Sequence, residues 1–284
     1  MGVDIPILKF LCYIHKFSDF GRTITLGRQN LDITANHLRK IIPVTSQYKH
    51  ETYVDQLLKD YFNSTIVDSI DKSDYEKATI IHNMNIPIPN NLKEKYDTVI
   101  DSGTLEHIYN IPQALENVSS LCRPGGQIIH ILPSNNLCGH GFYQISPELF
   151  FSLYSDKNGY KDTEVFLARV SNSTRFYKVI KPENGIRVNI YSKEEIMVYA
   201  RTVRKSNKFS HNNIYQSDYL YSWNKKNKYI RSRQINFIYN HRILLNLARK
   251  VYNSHYYRYN VMRENKLSKY NPNLIPCDLS KFNY

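Results

Sequence analysis

Residues 95–136 constrain the fold of this 284-residue chain more than any other stretch. They read KYDTVIDSGTLEHIYNIPQALENVSSLCRPGGQIIHILPSNN. A short apolar run at 98–100 closes on an acid, Asp101. Small residues follow (Ser102, Gly103), then Glu106 and His107. Residues 112–121 are amphipathic at helical spacing, Pro124-Gly125-Gly126 predicts a tight turn, and 127–132 is a second apolar run. This succession predicts strand, loop, helix, turn, strand. It gathers polar side chains at the carboxyl ends of the strands, where open α/β sheets bind ligands.

The flanking sequence extends the pattern. Residues 23–26 read as a strand ending at Gly27, 31–42 as a helix, and 51–62 as a helix with Tyr53, Leu57, Leu58 and Tyr61 on one face. Strand-like runs follow at 65–70, ending in Asp71, and at 78–81, before His82-Asn83-Met84-Asn85. Residues 147–154 predict a helix with Pro147 in its first turn, and 163–170, 175–180 and 196–203 are β-rich. Strands alternating with helices argue for a mostly parallel sheet with helices on both faces. The expected organisation is an N-terminal segment (1–18), a body (19–205) and an extension (206–284).

Residues 95–136 resemble the second half of the class I S-adenosylmethionine-dependent methyltransferase domain. The matching positions are Asp97, Val99, Asp101, Gly103, Leu105, Glu106, His107, Leu121, Pro124, Gly125 and Gly126. The resemblance implies a Rossmann-like, mostly parallel seven-stranded sheet with S-adenosylmethionine as cofactor. It also implies methyl transfer to a hydroxyl or amine of a small molecule or glycan. Asp71 matches the acid that takes the ribose hydroxyls, Asn83 stands at the adenine-contacting position, and Asp101 with Gly103 lines the methionine end. The family's first motif, acid-x-G-x-G-x-G, departs here to Thr25-Leu26-Gly27-Arg28-Gln29-Asn30-Leu31. Only Gly27 survives, and each added Cβ narrows a backbone approach. Either Arg28 and Gln29 supply side-chain contacts to the cofactor, or binding is lost and the chain is a methyltransferase-like scaffold.

Two further candidates follow the second strand. His140 sits between glycines in the loop that faces the acceptor in this family, with Tyr143 close behind, and an imidazole suits a general base near neutral pH. Glu106 and His107 are ambiguous, because Glu at a helix start is favoured by the dipole alone. In one branch of the superfamily, the small-RNA 2′-O-methyltransferases, a Glu-x-x-Glu-His-His run and a later His bind a divalent metal. Here Gly103 replaces the first Glu, two adjacent residues do not define a site, and no metal is expected.

Charge divides the chain. From residue 201 onward there are 17 Lys and Arg against three acids, and 11 of the 24 tyrosines. Such an extension can contact nucleic acid through phosphates and base stacking, although a basic surface alone is common without a polyanionic partner. Within it, 235–251 is amphipathic at helical spacing. The four cysteines form no CxxC pair, which predicts reduced thiols in a cytoplasmic protein. No apolar run is long enough for a membrane span, and the start, interrupted by Lys9 and Lys16, is a poor signal peptide.

Overall fold

The computed structural model describes residues 2–43, 52–171, 175–224 and 265–278, with a few scattered positions between the last two spans. The predicted helix at 235–251 lies outside the described residues, those scattered positions apart. The elements in chain order are β1 (Gly2–Val3), α1 (Ile5–His15), β2 (Gly21–Leu26), β3 (Asn30–Leu31), α2 (Ala35–Leu38), α3 (Asp55–Tyr61), β4 (Ser64–Asp71), β5 (Ile80–Ile81) and β6 (Tyr96–Ser102). They continue with α4 (Ile111–Leu121), β7 (Cys122–Asn135), α5 (Pro147–Leu153), β8 (Tyr160–Arg169), β9 (Arg175–Val179), β10 (Ile196–Arg204), α6 (Ser217–Asn224) and β11 (Leu274–Asp278). No described helix is long and apolar enough to cross a membrane.

The main sheet runs β11-β9-β8-β10-β7-β6-β2-β4-β5. From β5 to β7 every pairing is parallel. From β7 to β11 every pairing is antiparallel. This corrects the expected seven-stranded, mostly parallel sheet: among the described residues nine strands form a mixed one. The reason lies in the connections. Parallel neighbours need a crossover, usually helical, and α4 supplies one between β6 and β7. Among the described residues no helix intervenes between β8 and β9 or between β9 and β10, so the chain turns back on itself there, and β10 inserts between β7 and β8.

Alternation along the strands sends side chains to two cores. Ile100, Ile129 and Ile131 face Leu8, Phe10 and Ile14 of α1 and Leu57 and Leu58 of α3. Val99, Ile128 and Leu132 face Ala114, Val118 and Leu121 of α4 and Phe150 and Leu153 of α5. Helix α1 starts sharply because Asp4 accepts a hydrogen bond from the Ile7 amide and Pro6 occupies the first turn. Burying each large apolar side chain contributes about 1.5–3 kcal/mol, so α1 is a substantial part of its core.

One local expectation fails, and another is met inside a strand. The predicted helix at 31–42 shrinks to α2, because Asn30 and Leu31 pair in parallel with Gly2 and Val3 and Thr34 caps the shortened helix. The predicted Pro124-Gly125-Gly126 turn lies inside β7: Cys122 pairs with Tyr96 and Gln127 with Thr98, so residues 123–126 leave the ladder, and Gly125 takes φ +85°. A Cβ on Gly126 would come within 2.7 Å of the Asp97 carbonyl oxygen, so the glycine lets two strands approach closely across a register shift between Tyr96 and Thr98.

Candidate active site

The order of strands reverses at β2: the chain builds outward through β4 and β5, then returns to place β6 on the other side. The carboxyl ends of strands at such a switch point enclose a crevice. Here it is a cavity of about 420 Å³, lined by Gly27, Arg28 and Gln29 after β2, Asp71 after β4, Asn83 after β5, Gly103, Thr104 and His107 after β6, and His140 after β7. That volume suits a small-molecule site, which typically spans about 300–1,000 Å³.

The loop after β2 is compact. Gly27 has φ +65°, and a Cβ there would lie 3.1 Å from Thr104 Oγ1. Its amide donates to the Ile70 carbonyl at 2.8 Å. Thr25, where an acid is expected, is buried and donates its hydroxyl to the Gly27 carbonyl at 2.8 Å. Gln29 folds back beneath the loop: Nε2 donates to the Leu26 carbonyl at 2.7 Å, while its buried Oε1 has no hydrogen-bond partner. Arg28 stacks its guanidinium 3.9 Å over the Tyr53 ring and donates Nε to Asp55 at 3.3 Å. The loop therefore leaves the crevice open, with both replacement side chains largely engaged by the protein itself.

On the opposite wall, Asp71 Oδ1 accepts from the Lys72 amide and Asn83 Oδ1 accepts from the Asn85 amide and side chain. Asp101 does not line the cavity. It is fully buried, and Oδ1 accepts from the Thr104 and Leu105 amides at 3.2 and 3.3 Å. Behind it, Oδ2 lies 2.8 Å from His130 Nδ1, and His130 Nε2 lies 2.6 Å from the Tyr154 hydroxyl. This buried chain fixes the turn that presents Gly103 to His107. Burial holds the Tyr154 phenol well above its usual range. His130 is not among the residues expected at the site, although a histidine inside the apolar run at 127–132 marks it in the sequence.

The loop after β7 closes onto Glu106. The Glu106 carbonyl accepts from the Phe142 amide at 2.7 Å, and Gly141, at φ +74°, sits where a Cβ would lie 2.6 Å from Glu106 Cγ. His140 is thereby brought to 3.2 Å from Glu106 Oε1 through Nε2, and His107 Nε2 lies 3.8 Å from the same oxygen. Glu106 is fully buried; burial and then the nearby Asp101 push its carboxyl up to about 8. Burial and the neighbouring His140 hold the His107 imidazole below its usual range. Tyr143 does not line the cavity; its hydroxyl donates to the Tyr109 carbonyl at 2.7 Å.

No family model and no curated protein matches the chain in sequence. Its fold overlaps solved methyltransferases at a distance. One, a SAM-dependent methyltransferase from Thermotoga maritima, shares 13% identity over 70% of this chain and 89% of its own, with a TM-score of 0.37. Another, the N-methyltransferase NodS from Bradyrhizobium japonicum, shares 10% identity over 70% of this chain and 95% of its own, with a TM-score of 0.38. Overlaps this loose carry no argument about chemistry, which has to come from the residues around the cavity.

Proposed function

We propose that this chain transfers a methyl group from S-adenosylmethionine to a hydroxyl or amine of a small-molecule or glycan acceptor. The observation that carries this reading is the ring of Gly27, Asp71, Asn83 and Gly103 around one open cavity at the switch point of the sheet. The donor set fits a nucleoside: a carboxylate for ribose hydroxyls at Asp71, an amide for the adenine edge at Asn83, and backbone access at Gly27 that a Cβ would crowd. Arg28, stacked on Tyr53, braces the rim. The cofactor supplies the methyl on a sulfonium centre, so the protein's task is to align an in-line transfer.

In this reading His140 takes the proton of an acceptor hydroxyl through Nε2. Tyr143 anchors the loop that carries it, and Asp101 acts from behind by holding the Gly103–His107 turn. Calorimetric titration of the full chain with S-adenosylmethionine tests the assignment. Saturable binding that is weakened in Asp71→Ala supports it, and absence of heat up to millimolar cofactor sinks it.

The altered glycine loop favours a second reading, a methyltransferase-like binding protein without activity. It predicts no saturable S-adenosylmethionine binding and no turnover on any acceptor. The basic extension favours a nucleic-acid acceptor reached through residues 206–284. Oligonucleotide binding that weakens with salt and disappears on deleting that extension supports this acceptor; salt-insensitive or absent binding removes it.

A further inference from the structure

We propose that Glu106, His107 and His140 form a binding site for one divalent transition-metal ion at the mouth of the cavity. Among the described residues they form a group whose donor atoms all lie within 4.8 Å of one another. A tetrahedral ion with ligands at about 2.1 Å separates them by about 3.4 Å. Glu106 Oε1 already lies 3.2 Å from His140 Nε2 and 3.8 Å from His107 Nε2.

Three features point to a bound cation rather than a chance cluster. Glu106 is wholly buried and its second oxygen, Oε2, has no hydrogen-bond partner. Buried polar atoms are as a rule partnered, and an ion at this carboxylate would supply the partner it lacks. The two imidazoles converge on Glu106 with ring centroids 5.2 Å apart. Both also line the cavity, so an ion there keeps open positions toward a ligand, as two-histidine, one-carboxylate sites do. The third donor depends on local design, because Gly141 allows its loop to seat against Glu106 where any side chain would collide. Glu106 and His107 match two positions of the metal-binding branch named above, while Gly103 removes that branch's first glutamate, so the site proposed here rests on three protein donors. The donors suit zinc, manganese or cobalt better than calcium or magnesium, which prefer oxygen alone.

The site has a consequence for the proposed chemistry. A His140 Nε2 that ligates an ion cannot also accept a proton, so occupancy and the general-base role exclude each other at one atom.

The test is calorimetric titration of chelator-treated full-length protein with zinc chloride and manganese chloride, alongside the visible absorption of added cobalt(II). The expected result is one saturable site and a cobalt band. His140→Ala and Glu106→Gln should each weaken binding by more than the roughly 10–100-fold that loss of an outer-shell partner costs. His211→Ala, an exposed histidine away from the cavity, should bind as the parent does. Thermal melts of each variant separate lost ligation from lost folding. Absence of saturable binding, or binding unchanged in both variants while they remain folded, overturns the proposal. Titrating the same preparations with S-adenosylmethionine keeps the two readings distinct: ion binding without cofactor binding retains this site and removes the methyltransferase assignment, and the reverse result removes only this site.

Discussion

The parallel and antiparallel halves of the sheet share both cores but divide the work. From β5 to β7, strands end in polar loops that converge on one cavity. From β10 to β11, the strands bury aromatic side chains against α1, with Phe166, Phe176 and Tyr199 in ring contact with Phe10. Parallel strands place consecutive carboxyl ends side by side and so concentrate loop chemistry at one edge. Antiparallel strands alternate their ends and contribute mass and rigidity instead. Recognition and support are therefore separable by substitution.

The largest effect should fall on the supporting half. Phe166→Ala removes a fully buried ring and should cost about 3–5 kcal/mol of stability, read by chemical denaturation, while the folded fraction keeps its affinity for S-adenosylmethionine. A large affinity loss would break the division. The converse substitution is Asp71→Ala, which should leave stability nearly unchanged and weaken cofactor binding by roughly 10–100-fold, the worth of about 1.5–3 kcal/mol of hydrogen bonding to a charged group. Calorimetry checks both halves of that statement.

Glu106 should show a pH signature in the metal-free protein. Its carboxyl is raised from 4.5 to about 8 in the folded state, so the folded chain holds a proton that the unfolded chain releases. Its contribution to stability is then greatest at acid pH and declines as pH rises from 4.5 through about 8. Glu106→Gln should flatten this decline in denaturation midpoints measured across that window; an unchanged slope would place the carboxyl in the ordinary range. The smallest effect is Tyr154→Phe, which removes one hydrogen bond from His130 and should cost about 1 kcal/mol, measured by thermal unfolding.

The two halves also differed in how far the sequence revealed them. Strands β2, β4 and β6 and helix α4 could be read because apolar runs end in Gly27, Asp71 and Asp101 and the helix has a clear face. Runs corresponding to β8, β9 and β10 were legible as β-rich, but their order was not, because insertion of β10 between β7 and β8 is a long-range choice that no local pattern encodes. The pairing of Asn30 with Gly2 was hidden for the same reason: two residues carry no periodicity, and the following apolar positions mimic a helix. At the site, Gly27, Asp71, Asn83 and Gly103 could be placed by strand ends. Asp101 could be placed too, but its burial behind the turn could not. Nor could the meeting of Glu106 with His140, 34 residues further on, which depends on how one glycine folds a loop.

The last described strand has a practical side. β11, drawn from the basic extension, pairs along all of β9, from Leu274 with Val179 to Asp278 with Arg175. β11 is itself the edge of the described sheet, but its Pro276 has no amide to donate; without the strand, β9 would present unpaired amides and carbonyls to any other chain, the template from which edge-to-edge aggregation begins. A chain shortened before Leu274 should therefore lose solubility before it loses its cavity, so a truncation meant to probe the extension's charge would also uncover an adhesive border.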